Sequence, residues 1–186
     1  MPQQQSYEAR FDWGAEGLRS IAPGAGVIVI VDVLGASDLR LTADSAGYGV
    51  PVVAADLRNF SAVARWVLAR QQQLGRRANV AVVAAGERRP DGTLRPAVED
   101  QLAAGAVIAA LAALGIDACS PEAAVASAAF EALRPAVRHL LTASVTAREL
   151  TEAGRLDDVR NAAQLDASDE VPIIHAGSDA RRRPAE

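Results

Sequence analysis

Asp32 interrupts the run VIVIVDV at residues 27–33, whose other six side chains are all β-branched. An ionised carboxylate buried there without a partner would be expensive, so it must emerge into a crevice, meet an arginine or coordinate a cation. A site and a structural ion pair both satisfy that demand. Glu99 and Asp100 stand in the first turn of a helical pattern, after a polar loop that holds Glu87, Arg88 and Arg89. They can serve as ligands, or simply complement the positive end of the helix dipole, worth roughly 0.3–1 kcal/mol each. Arg58 could hold an anion at the start of a helix that Asn59 is suited to cap, or it is a solvated arginine. Cys119 stands alone, and His139 and His175 show no ligand spacing, which favours an apolar cysteine and surface or interface histidines.

Two known carboxylate and phosphate patterns fail at Asp32. A haloacid-dehalogenase pattern needs a second aspartate two positions on, where Leu34 stands, and a dinucleotide fingerprint needs three spaced glycines, where Gly35 is alone.

The elements that must position these residues alternate between strand and helix. The run at 27–33 reads as a central parallel strand buried on both faces. Tyr7–Trp13 alternates apolar and charged side chains, the signature of a half-buried edge strand. Gly14–Ile21 reads as a short helix stopped by Pro23. Pro51–Ala55 and Val80–Ala85 are further apolar strands, and Leu39–Gly49 has no convincing period. Helices are expected over Ser61–Leu74, with Val63, Trp66, Val67 and Leu74 inward and Gln71–Gln73 outward, and from Pro96 to about Leu114. Further helices are expected over Pro121–Leu133, presenting Val125, Ala128, Ala129 and Leu133, then over Arg134–Ala143, Ser144–Ala153 and Leu156–Leu165. Ser120 caps the first of these, with Pro121 in its first turn. Val171–Ile174 is a late strand or extended segment, and 176–186 an arginine-rich disordered tail. One α/β domain over residues 1–175 follows, with a crevice at the carboxyl ends of its strands.

Composition narrows the chemistry. The chain has 186 residues, half of them hydrophobic, enough for one well-filled domain. A net charge of −4 gives no general attraction to nucleic acid or an anionic membrane. All 19 basic residues are arginine, which excludes a Walker A lysine, a Schiff-base lysine and a lysine general base. No apolar run reaches spanning length and the first residues lack a signal peptide's apolar core, so a soluble cytoplasmic protein is expected.

Taken together, the segments resemble the 2-phosphosulfolactate phosphatase family. VIVIVDVLGAS is similar to its first-strand motif, Val-Asp-Val-Leu-Arg-Ala-Ser. Asp56 to Ala64 resembles its Leu-x-Asn-x-x-Ala-Val-Ala turn into a helix. Ala85-Gly86-Glu87, then Val98-Glu99-Asp100 and Ala104-Gly105, is similar to its Ala-Gly, Leu-Glu-Asp and Ala-Gly series. Thr146 to Leu150, Gly154, Asp157 to Val159, Ala162, Asp166, Ser168 and Val171-Pro172 follow its carboxyl-terminal signature. The resemblance implies a three-layer α/β/α fold around a mostly parallel or mixed sheet. It also implies a Mg²⁺-dependent phosphatase acting on a small anionic phosphorylated substrate. Asp32, Glu99 and Asp100 would then be catalytic and metal-binding, and Arg58, Asn59, Glu87 and Arg148 would bind the ligand.

The chain departs from that family in two places. Gly35 replaces the arginine expected after Val33-Leu34, which removes a phosphate ligand if that arginine served as one. The family's Asn-Ser-Pro and Thr-Asn-Gly-Thr motifs have no counterpart in the short 38–50 region, where only Thr42 to Gly47 could be a remnant of one. Two other readings therefore stand beside an active phosphatase. One is a family member that binds a ligand without turnover, and the other an oligomeric structural protein whose carboxylates only make ion pairs.

Overall fold

The structure, a computed structural model, describes residues 4–35, 38–39 and 47–177. Five strands form its main sheet: β1 (Ala9–Trp13), β2 (Val27–Val31), β3 (Val52–Ala55), β4 (Val80–Ala84) and, below, β7 (Ile173–His175). Their spatial order is β1-β4-β2-β3-β7, parallel throughout except that β7 runs antiparallel to β3. β2 pairs on both sides, Val29 with Val82 and with Val53, and all five of its residues are buried. The continuous β-branched run is the sequence trace of that central position.

Period-two alternation divides the core. Ile28, Ile30, Val52, Ala81 and Val83 face α1 (Gly14–Ile21) through Leu18 and Ile21. Val27, Val29, Val31, Val53, Val80 and Val82 face α2 (Phe60–Leu74) and α3 (Val98–Ala113). Crossovers running in opposite directions along a sheet land on opposite faces when both are right-handed. The β1–α1–β2 and β3–α2–β4 connections do so, and three α/β/α layers result. The remaining elements are α4 (Pro121–Leu133), a 3₁₀ turn at Arg134–Ala136, α5 (Val137–Ala143), α6 (Val145–Glu152) and α7 (Leu156–Ala162). Among the described residues no helix is long and apolar enough to cross a membrane.

Several local expectations are corrected. Arg10 is buried rather than on a solvent side. It donates to the carbonyl oxygens of Ile21 and Pro23 at 2.9 Å each, and to those of Tyr7 and Gln5, so it ties β1 to the negative end of α1. Gln71 is buried as well, because its amide donates to the Ala78 carbonyl at 2.9 Å. α4 turns its other face inward: Ala123, Ala126 and Phe130 are buried while Val125 is 68% exposed. The reason is a close helix crossing that small residues permit. A Cβ at Gly105 of α3 would come within 2.2 Å of the Ala126 carbonyl oxygen and 2.8 Å of the Phe130 Cβ. The loop after β4 also folds further than expected, into a hairpin of β5 (Glu87–Arg88) and β6 (Leu94–Arg95). The expected remnant at Thr42 to Gly47 lies outside the described residues except for Gly47, and nine residues of the expected tail, 178–186, do too.

Gly105→Ala should lower the unfolding free energy by about 1–3 kcal/mol, the range for overpacking a filled core. A shift in urea midpoint measures this, and an unchanged midpoint would show that α3 and α4 do not cross so closely.

Candidate functional site

The chain leaves β2 toward the α1 face, where Leu39 is buried, and leaves β4 toward α3 on the other face. The carboxyl ends of these neighbouring strands therefore flank a crevice of the kind in which open α/β sheets bind ligands. Asp100 spans it. Its Oδ1 accepts from the Val33 N–H, just past β2, and its Oδ2 from the Gly86 N–H, just past β4, each at 2.9 Å. α3 begins after Ala97 with no side-chain cap, and its first turn carries Glu99 and Asp100. Asp100 thus stands both at the positive end of the α3 dipole and in the crevice. Asp32, Glu99 and Asp100 are 5%, 2% and 3% exposed.

These side chains lie close enough to feel one another's charge. Burial raises the Asp100 carboxyl well above its usual range, and Asp32 and Glu99 add to the effect against the two amide hydrogen bonds. Burial also raises the Glu87 carboxyl, followed by repulsion from Asp32, while Arg95 opposes the shift. Glu87 and Arg95 stand directly opposite each other in the β5–β6 hairpin. Arg95 also reaches α6, donating to Thr146 Oγ1 at 3.4 Å and lying 4.0 Å from Glu149 Oε2.

Arg95, Thr146 and Glu149 were not foreseen as neighbours of the site. The signal was present in Pro90-Asp91-Gly92, a turn sequence flanked by short strand-length segments. Asp91 Oδ1 accepts from the Thr93 N–H at 2.9 Å, and Gly92 takes φ +82°.

Gly35 sits against this group. A Cβ there would lie 2.6 Å from Glu87 Oε1 and 2.9 Å from Asp32 Oδ1, so two carboxylate oxygens converge on a space that only glycine leaves open. Among the described residues no three His, Cys, Asp or Glu side chains form a ready-made metal site. Mg²⁺ asks for less: one or two carboxylates, with water and substrate phosphate completing its shell. The hard-oxygen donors at Gly35 fit that requirement.

The other expected residues lie farther along the same rim or beyond it. Asn59 is at the N-cap position of α2 but makes no capping bond. It is buried, accepts from the Asp56 N–H at 2.9 Å and donates to the Glu170 carbonyl at 3.0 Å, which makes it a cross-link. Arg58 follows β3, one strand over from Asp32, and its buried Nε has no hydrogen-bond acceptor among the described residues. Arg148 is exposed on α6. Beside the carboxylates opens a cleft of about 580 Å³, lined by residues that include Trp13, Arg19, Leu39, Gly86, Glu87, Arg88 and Leu94.

Two segments of the resemblance meet in this geometry. The turn after β3 is joined to the segment before β7 by Asp166 N–H to the Leu57 carbonyl at 2.9 Å and Ser168 N–H to the Arg58 carbonyl at 2.8 Å. The family model for 2-phosphosulpholactate phosphatase matches residues 42–177. The chain belongs to that family. No curated protein matches it. The 2-phosphosulpholactate phosphatase match spans β3 through β7, including Glu87, Glu99 and Asp100. Asp32 and Gly35 precede it; the intervening Val33 N–H donates to Asp100, and Gly35 lies against Glu87.

A raised carboxyl binds its proton more tightly in the folded chain than in the unfolded one. Its contribution to stability is therefore present at low pH and lost as pH rises through the folded value. Asp100→Asn should lie within about 1.5 kcal/mol of wild type near pH 4, the cost of one weakened hydrogen bond. As pH rises the wild type should lose ground to the variant in urea unfolding. A gap independent of pH would show that Asp100 is not raised.

Proposed function

We propose that this chain is a Mg²⁺-dependent phosphomonoester hydrolase acting on a small anionic substrate. The observation that carries the reading is the convergence of Asp32 Oδ1 and Glu87 Oε1 on the space at Gly35, inside a crevice closed by Asp100. Asp32 and Glu87 would hold the cation, with Glu99 adding negative potential from the first turn of α3. When bound, Mg²⁺ neutralises charge on the phosphoryl oxygens and orients them for displacement.

The chain's own residues do the rest. Asp100 fixes the gap between the ends of β2 and β4, so the distance from Asp32 to Glu87 is set before any ligand arrives. Arg95, opposite Glu87 in the hairpin, offsets part of the upward shift that burial and Asp32 impose on its carboxyl. Arg58, with a buried donor at the β3 rim, and Arg148, exposed on α6, are the cations offered to the substrate's anionic groups. Asn59 holds the Arg58 turn in place rather than touching substrate.

Phosphate release from 2-phosphosulfolactate should require Mg²⁺ and stop with chelator, and Asp32→Asn should lower it about a hundredfold or more. Mg²⁺ at a hundred times its dissociation constant should stabilise wild type by about 2.7 kcal/mol in thermal unfolding. Gly35→Ala, which places a methyl between the two oxygens, should abolish that stabilisation. Release that persists in chelator would remove the metal from the reading. Mg²⁺ stabilisation with no release from any phosphoester would instead favour a binding protein.

A further inference from the structure

The cleft beside Glu87 says more about the substrate than its phosphate does. Its volume of about 580 Å³ falls in the range that encloses drug-sized ligands, and a three-carbon acid would fill only part of it. Trp13, Ala15, Leu39, Ala85 and Leu94 give it an apolar wall. Leu94 is 37% exposed yet held in place, because two glycines let it settle onto the backbone. A Cβ at Gly14 would stand 3.3 Å from its Cδ1, and one at Gly86 only 2.8 Å. Of its cationic lining, Arg19 is already ion-paired with Glu16. An apolar wall of this kind suits a ligand with an apolar body beside its anionic end.

We propose that the substrate is a phosphomonoester whose alcohol carries an apolar, ring-sized group, seated on Trp13 and Leu94 with its phosphate at Glu87 and Gly35. This rests on the hydrolase reading above. In the reaction water attacks phosphorus, the bond from phosphorus to the alcohol oxygen breaks, and one water proton passes to that oxygen. Orthophosphate and the free alcohol leave.

The test uses the full chain with Mg²⁺ and follows phosphate release from phenyl phosphate, 2-phosphoglycerate and 2-phosphosulfolactate. Phenyl phosphate should have a kcat/KM about tenfold or more above the two acids, the scale of a well-filled apolar contact. Leu94→Gln should reduce that preference ratio by about tenfold. Calorimetry with phenylphosphonate and methylphosphonate, both uncleavable, gives a readout on wild type alone, and the phenyl compound should bind about tenfold more tightly. Hydrolysis of the acids at equal or higher kcat/KM, or equal binding of the two phosphonates, would overturn the inference while leaving the hydrolase reading intact. Release from none of the esters would overturn both.

Discussion

One buried carboxylate holds the crevice in register. Asp100 gives each of its oxygens to an amide from a different strand end, so the gap between β2 and β4 is set by the width of a single side chain. Hydrogen bonds to a charged group contribute about 1.5–3 kcal/mol each. Removing an ion from water costs several kcal/mol, and two negative neighbours add to that cost. The upward shift of Asp100 shows which side prevails: burial outweighs the two amides. The clamp is therefore strong in geometry and strained in charge.

That strain is concentrated at the crevice. Arg10, buried elsewhere in the same chain, illustrates the contrast, since four backbone carbonyls take up its donors. At the crevice Glu87, Asp32, Glu99 and Asp100 repel one another, and Arg95 is the cation that opposes the effect at Glu87. Folding alone gains little from gathering acids at one rim of a sheet. A site that must accept positive charge gains the field they create, and perturbed carboxyls are common where chemistry is done.

Much of this arrangement is legible in the residues. The β-branched run of β2 announces a strand covered on both sides, and the aspartate closing it must meet something polar because nothing apolar can satisfy it. Ser120 caps α4 as its place before Pro121 requires, accepting from the Ala123 N–H at 3.2 Å. What period cannot show is which of two weakly contrasted faces turns inward. In α4 almost every side chain is small, so the crossing at Gly105 decides and Val125 is left outside. Nor does period reveal a cross-link such as Asn59 to Glu170, whose partners are distant in sequence. The hairpin carrying Arg95 was encoded by its turn, but two-residue strands are too short to alternate visibly.

Gly35 joins the family resemblance to the shape of the site. Where the resemblance sets an arginine, this chain has no side chain, and the nearest groups to the vacated position are Glu87 and Asp32. A guanidinium there would have met both carboxylates and offered the remaining donors to an anion. On the hydrolase reading, that guanidinium would have been one of the donors around the phosphate, and in its place the bare Gly35 backbone faces the two carboxylate oxygens. Under the substrate proposal above, Trp13 and Leu94 in the neighbouring cleft would then carry more of a ligand's binding free energy, because burying apolar area needs no counter-ion.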